Sequence, residues 1–404
     1  MIRGVVLGSF LLFGLSLPLL HAALPEVIRE FGWRYTATGG LLATGAGAYL
    51  LTAYAAGMVC QRFGPKRVLI GGLLCQAAGF GLFGVSPVLG HNMMLYALVG
   101  VGHGAVELAA NYSIVQIERG GKTRLMNFMH AVFAVGAVAT PLGVSAALAT
   151  AAGWRLAFRA LAGLFAVAGL SAAEVSFTGI ERPVGPDRPR RTARPARLGL
   201  LILLFAMLLA YVGSEMGLSA WIAEYYVRVL GTTKPLAAKM VSLLWGGILV
   251  GRFAVAWLYH GRRHGLLLLG LTVTTAVAMP LAMVCRSALL AANLFFIAGL
   301  GYSAVYPTVI SVVGRHFRRG QSMAIAMVSA GGGVGSLAGQ FAIGAVADRF
   351  DLLAGLGVAA GLNVVMVLLA VGIIVAIRRP PRRVPRSHTD RNGQRAPTPS
   401  RQGR

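Results

Sequence analysis

Runs of about twenty apolar residues, separated by short polar connectors, recur along the whole of this chain. They cover approximately residues 5–25, 39–60, 67–86, 93–116, 125–150, 155–177, 198–227, 236–259, 265–285, 288–314, 321–347 and 352–377. A bilayer core about 30 Å thick needs roughly 20 helical residues to cross, so each of the twelve runs is long enough to span it. A transmembrane barrel would alternate polar and apolar positions over segments of about ten residues. These runs are uninterrupted and rich in Gly and Ala, which let helices approach closely in lipid. The pattern predicts an all-α integral membrane protein with twelve transmembrane helices. The first run lacks a small-residue cleavage site and further spans follow, so a retained helix is expected rather than a signal peptide.

Composition agrees with lipid as the solvent. Of 404 residues, 56% are hydrophobic and 12% charged, and the mean hydropathy is +0.72, too apolar for a soluble protein of this size. A net charge of +25 raises nucleic acid as a partner, yet the basic residues are gathered on no soluble domain. They alternate from loop to loop. Arg62, Lys66 and Arg67 follow span two, and Arg119, Lys122 and Arg124 follow span four. Six arginines between Arg182 and Arg197 follow span six, Arg262 and Arg263 span eight, and Arg315, Arg318 and Arg319 span ten, with nine more from Arg378 to Arg404. The intervening loops are nearly bare. The positive-inside rule then predicts a multi-pass protein of the cell inner (plasma) membrane with both termini cytoplasmic. The basic tail is expected to be disordered and to sit against anionic headgroups. Cys60, Cys75 and Cys285 show no metal spacing and imply no disulfide framework.

The Pro- and Arg-rich stretch divides the spans six and six. The expected organisation is a six-helix bundle over residues 1–177, a cytoplasmic linker over 178–197, a second bundle over 198–377 and a tail over 378–404. GVGHGAVE at residues 100–107 resembles GLGYSAVY at 299–306, and AVGAVATPLG at 134–143 resembles AGGGVGSLAG at 330–339. These matches pair span four with ten and five with eleven, as an internal duplication would. Two related bundles around a central cavity permit alternating access, with a site near the midplane.

Polar residues inside the spans are the candidates for function. A carboxylate at the bilayer centre costs about 2.5–3.5 kcal/mol on insertion scales, so Glu107 should face the bundle interior. His103, Glu107 and Asn111 recur every four residues and share one helix face; an interhelical hydrogen-bond strap is the other reading of that stripe. Tyr211, Glu215 and Ser219 repeat the spacing in span seven. Glu215 lies deep enough to need a partner and joins Glu107 as a candidate for proton coupling, whereas Glu224, near the outer end, is expected to be solvated. His21, Asn127 and His130 are further candidates, each open to a packing role. Trp221 follows in span seven. Trp245, Tyr302 and Tyr306 could line a cavity and stack on the CH face of a sugar ring, or simply pack. Trp33 and Trp154 read as interfacial anchors. Arg252, inside span eight, should pair with a carbonyl or carboxylate. No catalytic constellation, phosphate-binding Lys loop, metal cluster or cofactor motif is visible, so an enzyme or an ATP-driven pump is not expected.

GMVCQRFGPKR at residues 57–67 resembles the loop signature between helices two and three of the major facilitator superfamily. Gly57, Arg62, Gly64, Lys66 and Arg67 match it as gating-loop residues, while Gln61 stands where the family has Asp. GHGAVELAAN (102–111), YVGSEMGLSAW (211–221), WGGILVGR (245–252), MNFMHAVFAVGAVATPL (126–142) and the pair Tyr306-Pro307 are similar to the sugar:proton symporter branch containing fucose permease and the bacterial glucose/mannose permeases. The resemblance implies that Glu107 takes up the coupling proton, with Asn111 and Asn127 near the substrate. His21 aligns with an acidic residue that fucose permease has in its first helix. The resulting expectation is a monomeric secondary transporter that takes up a small solute, a hexose or related sugar, with a proton; sodium is the other candidate ion. Drug or metabolite efflux, and a non-transporting receptor or scaffold on the same fold, are the alternatives.

Overall fold

The computed structural model describes all residues except 118–123, 178–179, 181–197, 260–262, 318–320 and 379–404. The expected linker, apart from Ile180, and the expected tail, apart from Arg378, lie outside the described residues, as do Arg119, Lys122, Arg262, Arg318 and Arg319. The described residues form fourteen helices: α1 Ile2–Ser16, α2 Leu19–Phe31, α3 Tyr35–Phe63, α4 Pro65–Leu82, α5 Leu89–Ile117, α6 Arg124–Leu148 and α7 Trp154–Glu174, then α8 Leu198–Arg228, α9 Lys234–Leu258, α10 His264–Val284, α11 Ala288–Tyr302, α12 Val305–His316, α13 Gln321–Arg349 and α14 Leu352–Arg378. Two of the twelve expected spans are broken helices, so fourteen helices make twelve rods: α1 continues into α2, and α11 into α12.

Proline explains where these two rods break. Pro18 caps α2, and Pro307 sits in the first turn of α12. A helix continuing unbroken into Pro307 would drive its ring against the carbonyl of Ser303, four residues earlier. The backbone instead breaks at Ser303 and Ala304, leaving the Ser303 carbonyl without a helical donor. Ten of the rods are long and apolar enough to cross a bilayer. The other two are α3 and α4, which are 29 and 18 residues long but diluted by Gly, Thr and Tyr in α3 and by Lys66, Arg67 and Gln76 in α4.

Helices α1–α7 form one bundle and α8–α14 the other. The repeated glycines hold equivalent positions in the two. A Cβ on Gly100 of α5 would collide with the Gly45 carbonyl of α3, and one on Gly299 of α11 with the Leu244 carbonyl of α9, beside Gly247. Two residues on, Gly102 meets α4 at Gln76 and Gly72, and Gly301 meets α10 at Thr275 and Leu271. The weak sequence repeat therefore marks the same helix packing twice. Between the bundles, α3 runs along α13, α6 along α9, and α2 against α8.

Because backbone occupies the space a side chain would need, Gly100→Leu and Gly299→Leu should each destabilise by about 1–3 kcal/mol or more. Thermal unfolding in detergent would show this as a lowered midpoint for both variants, while Gly90→Leu, where nothing lies within 4 Å of a Cβ, should melt as wild type.

Candidate functional site

Glu107 lies ten residues from the end of α5 next to the Arg-rich loops, about 15 Å along the axis at 1.5 Å per residue. Its Oε2 accepts a 2.6 Å hydrogen bond from the Tyr49 hydroxyl of α3. Gly104, one turn earlier, brings α5 against Tyr49, Thr52 and Ala53, so the close approach of these two helices places the phenol on the carboxyl. Both side chains are half-buried. Tyr306 of the other bundle, 38% exposed, shares a 2.9 Å hydrogen bond with Ser329 of α13 and comes within electrostatic range of both Tyr49 and Glu107. The carboxyl therefore looks across the gap between the bundles rather than into lipid. Asn111 is half-buried one turn further along α5, and Asn127 and His130 of α6 are exposed.

The second buried acid has a different setting. Glu215 of α8 is 5% exposed and accepts from the Tyr211 hydroxyl at 2.8 Å. Arg252 of α9 lies in electrostatic range of Glu215 in its own bundle and of His130 across the gap. Its Nε donates to the Ser303 carbonyl at 3.3 Å, the one released by the Pro307 break. That break thus provides an acceptor for a cation inside the span.

His21 of α2 joins the bundles directly. Its Nδ1 shares a 3.0 Å hydrogen bond with Ser219 Oγ, which also accepts from Trp245 Nε1 at 3.0 Å. His21 lies ten residues, about 15 Å, from the end of α2 at the Arg-poor face. Between it and that face the contacts form a seal. Asp348, at the end of α13, accepts from the backbone N–H groups of Tyr35 (3.0 Å) and Thr36 (2.7 Å) and lies 3.5 Å from Arg34. These are first-turn donors of α3 with no partner inside their own helix, and no side chain of α3 caps them. Tyr35 also donates to Glu224 Oε1 at 2.9 Å and stacks edge-on against Trp221 at 5.5 Å. Glu224 receives Arg228 at 3.0 Å as well, and Glu26 of α2 pairs with Lys234 of α9. Nearer the midplane, Ser242 donates to the Val138 carbonyl at 2.8 Å. The polar links between the bundles thus cluster in the half next to the Arg-poor face.

Several expected candidates stand elsewhere. His103 is buried inside the first bundle, sharing a 2.7 Å hydrogen bond with Ser16 of α1, which is the strap arrangement. Tyr302 is buried among Ser214 (2.6 Å) and Asn363 (3.1 Å) of its own bundle. Trp221 is buried in the seal and donates to the Gln340 carbonyl at 3.3 Å. Glu224 is 1% exposed and doubly bonded rather than solvated, because Tyr35 and Arg228 close over it. Trp154 is not an interfacial anchor; it is buried and donates to Glu30 at 2.8 Å. The expected gating loop shrinks to Gly64, whose φ of +81° suits glycine; Arg62 stands in the last turn of α3 and Lys66 and Arg67 open α4, Lys66 donating to the Ala173 carbonyl at 2.6 Å and Arg62 and Arg67 being exposed. Gly57 lies within α3. No pattern in the sequence singles out Tyr49, Ser329 or Asp348.

Comparison with known proteins follows the architecture. The family profile described as Major Facilitator Superfamily matches residues 6–323 and 259–402. An uncharacterized MFS-type transporter of Yersinia pestis is 24% identical over 375 residues, covering 92% of this chain and 94% of the relative. A glucose/galactose transporter of Brucella abortus is 24% identical over 347 residues, 78% of this chain and 81% of the relative. Among solved structures, a nucleoside transporter superposes with a TM-score of 0.76 at 12% identity, covering 92% and 98% of the two chains. A D-xylose-proton symporter gives 0.70 at 13% identity, covering 92% and 96%. At such identities the superpositions speak for the fold alone.

Losing an Asp cap costs about 0.5–2 kcal/mol, and each 1.4 kcal/mol is tenfold. Asp348→Ala should therefore favour opening of the Arg-poor face by about two- to thirtyfold. The check is the rate at which an impermeant thiol reagent, added from that face, modifies a cysteine placed at His21 in a background without Cys60, Cys75 and Cys285. Faster modification is expected with Asp348→Ala, and no change with Asp351→Ala.

Proposed function

The chain belongs to the Major Facilitator Superfamily, and from that premise we propose that it takes up a hexose or related sugar together with a proton by alternating access. The moving units in this reading are the bundles 1–177 and 198–377, rocking about the seam of α2, α3, α6, α8, α9 and α13. The Arg-rich face is cytoplasmic, as the positive-inside rule requires, so the sealed Arg-poor face is the outer one and the conformation is the inward-opening one.

The observation that carries the coupling is Glu107 facing the gap with a hydrogen bond from Tyr49. A charged carboxylate at such depth costs several kcal/mol unless compensated, and protonation removes that cost. A proton taken up from one side therefore lets the carboxyl be enclosed when the bundles close over it, and its release to the other side favours reopening. Proton is preferred over sodium because one carboxyl with a phenol donor offers few of the oxygen ligands a metal ion needs. The solute class is supported by Tyr306, 38% exposed, an aromatic surface that suits the CH face of a sugar, with Asn111, Asn127 and His130 as hydroxyl partners; Trp245, 3% exposed and bonded to Ser219, is enclosed in this conformation. The Brucella relative, named for glucose and galactose, points the same way.

The test is uptake into proteoliposomes of glucose, galactose and fucose under an inward proton gradient. Wild type should accumulate its sugar, whereas Glu107→Gln should keep counterflow exchange and lose accumulation. Accumulation by Glu107→Gln against the sugar gradient would overturn the coupling assignment.

A further inference from the structure

At the Arg-rich boundary of the second bundle, away from the central gap, a cavity of about 460 Å³ opens between α10, α12 and α14. Its rim carries Arg263, Arg315 and Arg378 with His264 and His316, and its inner wall is Leu266, Val312, Ile374 and Ile377. No carboxylate lines it, and none of the three arginines takes part in an ion pair among the described residues. All three are exposed. Three guanidinium groups without a counter-charge thus surround one hollow.

Two further features point to an anion. Helix α10 begins at the cavity with Arg263 as its N-cap and no side-chain cap, so its first N–H groups and the positive end of its dipole face the same space. The His264 Nε2 is buried and has no hydrogen-bond partner. Gly265 explains the geometry, since a Cβ there would meet Ile374; its absence lets α14 close against the start of α10 and brings Arg378 to the rim. The cavity is basic at the headgroup level and apolar below it, a polarity that matches an amphiphile better than a free ion.

We propose that this cavity binds an anionic phospholipid, its phosphate held by Arg263, Arg315, Arg378 and the α10 N-terminus, and its acyl chain lying along Leu266, Ile374 and Ile377. Basic pockets between membrane helices on the cytoplasmic side recognise such headgroups, each Lys or Arg near the surface contributing about 1 kcal/mol. The lipid would hold α10, α12 and α14 together within one bundle. It does not bridge the moving seam, so it stabilises the bundle without selecting a transport conformation.

The experiment measures phosphatidylglycerol and phosphatidylcholine binding to the full chain in neutral detergent by native mass spectrometry, with melting temperature as a second readout. Phosphatidylglycerol should bind preferentially and raise the melting temperature more. The combined variant Arg263→Gln, Arg315→Gln, Arg378→Gln should weaken that preference by roughly tenfold to a hundredfold, with melting in phosphatidylcholine unchanged. Arg315→Gln alone, on an exposed side chain, should show a smaller loss and guards against a folding defect in the combined variant. Replacing Arg382, Arg383 and Arg386 of the tail by Gln should leave the preference intact. Equal binding of the two lipids, loss through the tail variant instead, or full displacement by inorganic phosphate at the lipid's concentration would overturn the proposal.

Discussion

The bilayer core offers no water to hydrogen-bond, so every backbone N–H and C=O at that depth must find a partner within the protein. Twelve helical rods satisfy the constraint along their lengths, and the interesting chemistry gathers where they cannot. At Pro307 the helix of span ten breaks, the Ser303 carbonyl is released, and Arg252 occupies it. At the start of α3 the first-turn donors are taken by Asp348 of the opposite bundle. At the start of α10 no side chain caps the helix, and the end faces a basic hollow. At each of these three places a charge stands inside the span or beside the helix end.

The same constraint shapes the path between the bundles. Their seam at the Arg-poor face relies on a helix cap, short ion pairs and single hydrogen bonds. Individually, exposed ion pairs contribute about 0–1 kcal/mol and a cap about 0.5–2 kcal/mol. Such a seal holds one conformation yet can be undone by a ligand with a differential affinity of a few kcal/mol. Glycine-mediated backbone contact holds each bundle, at Gly45 and Gly100 and again at Gly247 and Gly299, and Gly344 of α13 meets the Tyr35 carbonyl of α3 in the same way across the seam. The His21–Ser219–Trp245 link lies just inside the seal and joins the two bundles there.

Much of this was legible in the sequence because membranes penalise polarity so heavily. Apolar run length announced the rods, and the rarity of buried acids singled out Glu107 and Glu215. The short glycine repeat, worth little by itself, marked equivalent packing in the two bundles. Other features were hidden for identifiable reasons. Tyr49 resembles any packing tyrosine until α5 closes on α3. Asp348 and Tyr35 are 313 residues apart, and no local pattern links them. Helical spacing shows that His103 shares a face with Glu107 but not that Ser16 waits for it on α1. Nor does it separate Tyr302, enclosed by its own bundle, from Tyr306, which faces the gap.

We infer that solute and proton cross together past Glu107. The most direct measurement is the pH of a weakly buffered suspension of wild-type vesicles when sugar is added outside in the absence of any imposed gradient. A sugar-dependent alkalinisation of the medium, abolished by a protonophore, is the predicted result. Sugar entry with no movement of protons would contradict it.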